Sequence, residues 1–183
     1  MWPSLTERTA AYRRVRVEGL LLHDRETLVQ AVTKQGAGFW VMTPLRTRVG
    51  TVLVNRGFVP FAKRDPAARP LAQVAGPTSV VGLLRMSEPG GTLLRNNDPA
   101  TDSWYSRDVR AIARARNLGA TAPFFVDADA TPNPGGYPLG GLTVTTFRNQ
   151  HLTYALTWFA LAALAAIGAI QIVRSPAPGH GRT

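Results

Sequence analysis

From Leu152 to Val173 the chain runs 22 residues without a charged side chain. As an α-helix that stretch is about 33 Å long, against roughly 30 Å for the hydrocarbon core of a bilayer. Arg148 stands just before it and Arg174 just after it, where the two interfaces would fall. Buried helices of soluble proteins rarely stay uncharged for so long, so the segment is read as a transmembrane helix. This divides the chain into a domain over residues 1–150, a span over 151–173 and a short tail over 174–183. Arg174 and Arg182 on the tail side, against Arg148 alone near the other end, favour a cytoplasmic tail.

The span has two unlike faces. At about 100° per residue, His151, Tyr154, Ala155, Trp158, Ala162, Ala165 and Ala169 fall on one side, and Leu152, Leu156, Phe159, Ala163, Ile167 and Ile170 on another. The first face sets a polar and aromatic cap above small residues, which let a neighbouring helix come close; the second suits lipid. The plainer account is that alanine is abundant throughout the span.

The 183 residues suffice for one domain plus an anchor. Absence of cysteine excludes disulfides, thiolate metal sites and thiol catalysis together. The net charge of +10 rests on 19 arginines and only two lysines, Lys34 and Lys63. Guanidinium forks suit carboxylates and phosphates, so cofactor propionates, anionic membrane lipids and acidic partners all fit this composition. The arginines are scattered and accompany no nucleic-acid motif, so nucleic acid is not expected as a partner.

Residues 1–150 read as β-rich. Tyr12 to Leu22, Leu28 to Val32, Phe39 to Leu45, Gly50 to Val59, Val80 to Met86, Pro123 to Asp127 and Leu142 to Phe147 are expected strands. Asp24 to Lys34 reads equally as a short helix capped by Asp24. Arg64 to Pro77 is rich in Pro and Ala and reads as an exposed loop. One amphipathic helix is expected over Ser106 to Leu118, with Val109, Ile112, Ala113 and Arg116 on one side and Arg107, Arg110 and Arg114 on another. The fold class is therefore α+β, mainly β: a twisted antiparallel sheet or partial barrel with one amphipathic helix, plus the transmembrane helix.

Motifs for catalysis are missing. His23, His151 and His180 stand apart, no nucleophile elbow is present, and no spacing suggests a zinc site. The glycines of 134–141 are interrupted by prolines and lead into a strand, so they read as an irregular turn rather than a phosphate loop. Asn96-Asn97-Asp98-Pro99 reads as a turn whose carboxylate accepts hydrogen bonds within the domain. Trp104 and Tyr105 read as core or rim anchors. Gly57, between Arg56 and Phe58 at a strand end, is expected to take a positive φ or a close backbone approach. His151 is the most informative polar residue. An ordinary interfacial hydrogen bond is its bland role, and its sharper one is axial ligand to a haem iron, with Tyr154 and Trp158 as aromatic neighbours.

Several segments together resemble the surfeit locus protein 1 family. They are Val52 to Pro60 with Asn55-Arg56-Gly57 inside it, Trp104-Tyr105-Ser106-Arg107-Asp108, Pro123 to Asp127, the turn ending in Gly140-Gly141, and Arg148 to Phe159. They occur in the family's order from about Val15 to Phe159. The resemblance implies an assembly factor for haem-a cytochrome c oxidase that is not an enzyme, resides in the cell membrane and acts at the haem-bearing subunit. It implies haem a as cofactor, His151 as candidate ligand, and an extracytoplasmic domain. A permanent accessory subunit that stabilises an oxidase-containing supercomplex without binding haem is the alternative. The family carries a span on each side of its domain. Met1 to Val15 holds Glu7, Arg8, Arg13 and Arg14 and reads as neither span nor signal peptide. The expectation is thus that the functional protein has a first span not displayed in this sequence.

Overall fold

The computed structural model describes residues 11–92, 94–142 and 151–174. The chain divides into two units, residues 1–143 and 144–183. Among its described residues the first holds six strands and one short helix: β1 (Arg14–Leu21), β2 (Thr27–Thr33), β3 (Gly36–Thr47), β4 (Gly50–Pro60), β5 (Pro77–Met86), α1 (Val109–Ala115) and β6 (Thr121–Ala128). The second holds α2 (His151–Arg174).

Alternation sets the faces. In β1 the charged Arg14, Arg16 and Glu18 face solvent while Val15 and Val17 turn inward. The strands run in the order β1-β5-β6-β4-β3-β2, and β1 also pairs with β3 through Leu20↔Arg46 and Leu21↔Leu45. Five strands thus close into a barrel, with β2 hairpinned onto β3 outside the ring. A side chain at Gly19 would put its Cβ 2.1 Å from the Arg46 carbonyl oxygen, so glycine is what lets β1 cross over and close the ring. The barrel expectation holds, with one refinement: β4 and β6 run parallel, joined by a crossover through β5 and α1.

Nine consecutive residues of β4, Thr51 to Val59, are buried because both its faces are covered. Val52 packs with Leu84, Ala122, Phe124 and Val126 against Val15 and Val17 of β1. Its neighbour Leu53 packs on the other face with Met42, Phe125, Trp104, Val109 and Ile112. Trp104 is 1% exposed. Burial of such a ring stabilises the domain by about 3 kcal/mol, and it seals the sheet on the α1 side.

Four expectations change. Asp24 to Lys34 is not a helix; after a turn at His23–Arg25 it is strand β2, whose Thr27 and Val29 are buried. Arg64 to Pro77 is not simply an exposed loop. It makes 3-10 turns at Pro66–Ala68 and Pro70–Ala72, buries Ala72, and buries Arg69 in an ion pair with Glu26. α1 starts at Val109, not Ser106, because the Asp108 carboxylate caps it by accepting the Ala111 amide at 3.0 Å. Arg107 therefore precedes the helix and does not share a solvated face with Arg110 and Arg114. Nor does Arg116 pack apolar surface, since it donates to Thr27 and Asp102. Of the strand expected over Leu142 to Phe147, Leu142 is not in a strand and the remainder lies outside the described residues.

Candidate functional site

The site begins with a bulge in β4. Trp40 faces Phe58 and Met42 faces Asn55, so Arg56 and Gly57 together oppose Val41. Gly57 has φ +124°, and the chain after the glycine turn crosses directly over it. The Phe58 amide donates to Leu139 and the Leu139 amide donates back to Phe58, each at 2.9 Å. A Cβ at Gly140 would lie 2.3 Å from the Asp129 carbonyl oxygen, and one at Gly141 2.6 Å from the Ala130 side chain. Three stretches of main chain are clasped here.

The bulge sends Asn55 and Arg56 into separate polar nodes. Asn55 donates from Nδ2 to Asp127 Oδ1 at 2.8 Å, while its Oδ1 accepts the Gly57 amide at 3.1 Å. Asp127, 2% exposed, also accepts from Arg107 Nη1 at 3.1 Å and from Arg85 Nη1 at 3.2 Å. Glu88 completes the first node, accepting from Arg107 Nε at 2.9 Å and from Arg85 Nη2 at 3.4 Å. Two guanidinium groups thus meet two carboxylates, and the charges balance. The Arg107 guanidinium lies 4.8 Å over the Phe125 ring. Burial opposes its charge, but the Glu88 and Asp127 carboxylates outweigh that and raise its pKa.

In the second node Arg56 donates to the Ala72 carbonyl at 2.6 Å and to Asn133 Oδ1 at 3.0 Å. Asn133 in turn donates to Pro138. Burial lowers the Arg56 pKa to about 10, leaving it charged at neutral pH. His23 sits between Arg56, 3.4 Å from Nδ1, and the Val74 carbonyl, 3.0 Å from Nε2. A carbonyl only accepts, so Nε2 carries the proton and Nδ1 presents its lone pair to Arg56.

This arrangement predicts an acid sensitivity. Burial pushes the His23 pKa below 6.5; the Val74 hydrogen bond opposes the shift and the Arg56 charge adds to it. With the folded value below the unfolded one, the contribution to stability is full above about pH 6.5. It is lost as pH falls through the folded value, because the unfolded chain takes up the proton first. Wild-type urea midpoints should therefore fall more between pH 7.5 and pH 5 than those of His23→Gln. Parallel declines would contradict the assignment.

The remaining motif residues hold the segment before α1. Trp104 donates from Nε1 to Asp102 at 2.6 Å. The Tyr105 amide donates to Asn97, and Arg95 lies over the Tyr105 ring. Asp98 accepts from Thr101 and Ala100, as expected of its turn. Asn55 and Arg107 converge on the first node and Arg56 on the second, Gly57, Gly140 and Gly141 form the clasp, and Asp108 caps α1 instead. Sequence reasoning missed Arg85, Glu88 and Asp127 as a cluster. The one available signal was a carboxylate closing the buried apolar run Pro123 to Val126. Both Asp127 oxygens accept hydrogen bonds from the surrounding cations, so this cluster fastens the fold and presents no nucleophile or base. Among the described residues no three of His, Asp and Glu stand together as metal ligands.

In the other unit, α2 is apolar from Tyr154 to Gln171 and unburied over that length, long enough to cross a membrane. Tyr154 and Trp158 are exposed, 64% and 69%, and one turn apart on one side. His151 is the first helical residue, three before Tyr154; its imidazole lies outside the described residues.

The SURF1 family model matches residues 2–163. The chain is 41% identical over 168 residues to a SURF1-like protein of Monosiga brevicollis, covering 84% of this chain and 63% of that protein. It is 36% identical over 170 residues to surfeit locus protein 1 of Homo sapiens, covering 83% of this chain and 56% of that protein. For the same protein of Rattus norvegicus the figures are 37% over 169 residues, 83% and 54%. The chain thus spans little more than half the length of these last two relatives. The matched region contains the bulge, both polar nodes, the glycine clasp and the start of α2, and the chain belongs to the SURF1 family.

Proposed function

We propose that this chain is an assembly factor for haem-a cytochrome c oxidase, anchored in the cell membrane by α2, its domain extracytoplasmic and its C-terminus cytoplasmic. It holds haem a and presents it to the haem-bearing subunit of the oxidase. The observation that carries the reading is the top of α2, where the helix begins at His151 and sets Tyr154 and Trp158, both exposed, on the same side. This donor set fits a haem: imidazole is a standard ligand of haem iron, and the two rings offer apolar faces to a macrocycle. His151 would hold the group through its imidazole, and the group would supply a redox-active iron. Tyr154 and Trp158 would flank the group and exclude water, and the alanines at 155, 162, 165 and 169 let a partner helix approach the same face. The tightly fastened barrel is a rigid body to which this helix is tethered, and the role is binding and transfer rather than catalysis.

The test compares His151→Ala, His23→Ala and His180→Ala in cells that make haem a. His151→Ala should lose most of the haem absorption of the purified protein and lower oxidase haem content most. Equal haem content in all three variants would remove the ligand role. A haem-free wild-type protein purifying in fixed ratio with mature oxidase would make it an accessory subunit instead.

A further inference from the structure

A second site lies on the domain itself. Between α1 and the start of β6 runs an open cleft of about 890 Å³, floored by Met86, Val109, Ala113, Leu118 and Ala122 and walled by Arg110 and Arg114. Two observations set it apart from an ordinary surface furrow.

The first is charge. Six arginines, at 14, 25, 69, 85, 107 and 116, are in ion pairs. Arg110 and Arg114 are exposed, and among the described residues neither has a carboxylate or hydrogen-bond partner. At i and i+4 they share one face of α1, where like charges repel. Asp108 also lines the cleft, but its oxygens accept the Ala111 and Gly90 amides, so two cations with no ion-pair partner beside an apolar floor are poised for an anionic partner.

The second is an interrupted sheet edge. The Asp129 amide donates to the Val81 carbonyl at 2.9 Å, and β5 pairs with β6 antiparallel. Bonded rungs therefore recur at Leu83/Asp127 and Arg85/Phe125, and the next would be Ser87/Pro123. Pro123 has no N–H to give. The paired register ends at Met86↔Phe124, and Ser87 turns its hydroxyl to accept the Val109 amide at 3.0 Å. Among the described residues no strand pairs with Thr121 to Pro123 on the β5 side, and these residues line the cleft.

We infer that this cleft is a docking groove for an extended protein segment of alternating acidic and apolar residues. Such a segment continues the β6 edge with its main chain, lays its apolar side chains on the Met86–Leu118 floor, and directs its carboxylates to Arg110 and Arg114. The spacing agrees: four residues along a helix rise about 6 Å, and alternate residues of a strand are about 6.7 Å apart. The bidentate match of guanidinium to carboxylate supplies specificity, and the +10 charge of the chain steers acidic partners toward it.

The test uses the full chain in phosphatidylcholine nanodiscs and a fluorescein-labelled peptide of alternating Leu and Glu. Saturable binding is expected, weakened by salt and about tenfold or more by Arg110→Ser with Arg114→Ser, and absent for the Leu–Lys peptide. The chain has no cysteine, so Thr121→Cys carries a single environment-sensitive dye that should respond to the peptide. Equal affinity in the double variant, or equal binding of the Leu–Lys peptide, would overturn the proposal. So would a dye response to laurate or phosphatidylglycerol vesicles and none to the peptide. Neither readout involves haem or His151, so failure here leaves the assembly reading standing, and the reverse.

Discussion

Replacing Gly57 by alanine should destabilise the domain by roughly 3–5 kcal/mol, and Gly57→Glu by at least as much. A Cβ at this position falls 2.1 Å from the Leu139 carbonyl oxygen, 2.3 Å from its carbon and 2.6 Å from the Gly140 amide nitrogen. These are backbone atoms, so no rotamer change relieves the overlap. The φ of +124° adds about 1–3 kcal/mol of strain for any L-residue. Moving the crossing chain away breaks the two Phe58–Leu139 hydrogen bonds, each contributing about 1 kcal/mol. The Asn55 side chain, bonded to the Gly57 amide, would shift with it and loosen its grip on Asp127. Urea unfolding followed by the fluorescence of buried Trp104 measures the loss. A Gly57→Ala midpoint indistinguishable from wild type would show that the clasp is not the constraint described.

The same comparison shows what a sequence can carry. Strands β1, β3 and β4 were legible because Val, Leu and aromatics alternate with charge or run unbroken, and such patterns depend only on neighbours in the chain. The apolar helix α2 was legible to within a residue at each end, Leu152 to Val173 against His151–Arg174, because its signal is composition alone. β2 stayed ambiguous because Leu28, Val29, Ala31 and Val32 fit both periods; pairing with β3 decided it. Arg107 was misread because it continues the helical spacing of Arg110 and Arg114, whereas the cap at Asp108 starts the helix after it. Contacts between distant residues were illegible. Barrel closure rests on two residue pairs, Leu20↔Arg46 and Leu21↔Leu45, and Arg69 meets Glu26 across 43 residues. The glycine clasp is the instructive case: its glycines were visible as a motif, but which backbone passes over Gly57 is a tertiary fact.

Asp127→Ala should cost about 3–5 kcal/mol, because it strips a buried carboxylate from two guanidinium groups that cannot leave. Arg85 and Arg107 would remain side by side, 19% and 13% exposed at their side chains, with Glu88 alone to balance them. Asn55 would lose the acceptor of its Nδ2 in a buried site as well. Asp127→Asn should cost less, since an amide oxygen can still accept from Asn55 or Arg107 while the charge is lost. The decisive variant pairs the changes. Arg107→Met with Asp127→Ala removes one charge of each sign, leaves Arg85 with Glu88, and keeps an apolar side chain over Phe125. Its loss should be smaller than the sum of the two single losses by about 1–3 kcal/mol, the coupling expected of residues in one network. Strictly additive losses would mean that Arg107 and Asp127 act independently. The node would then be two separate contacts rather than one fastening beneath the family motif.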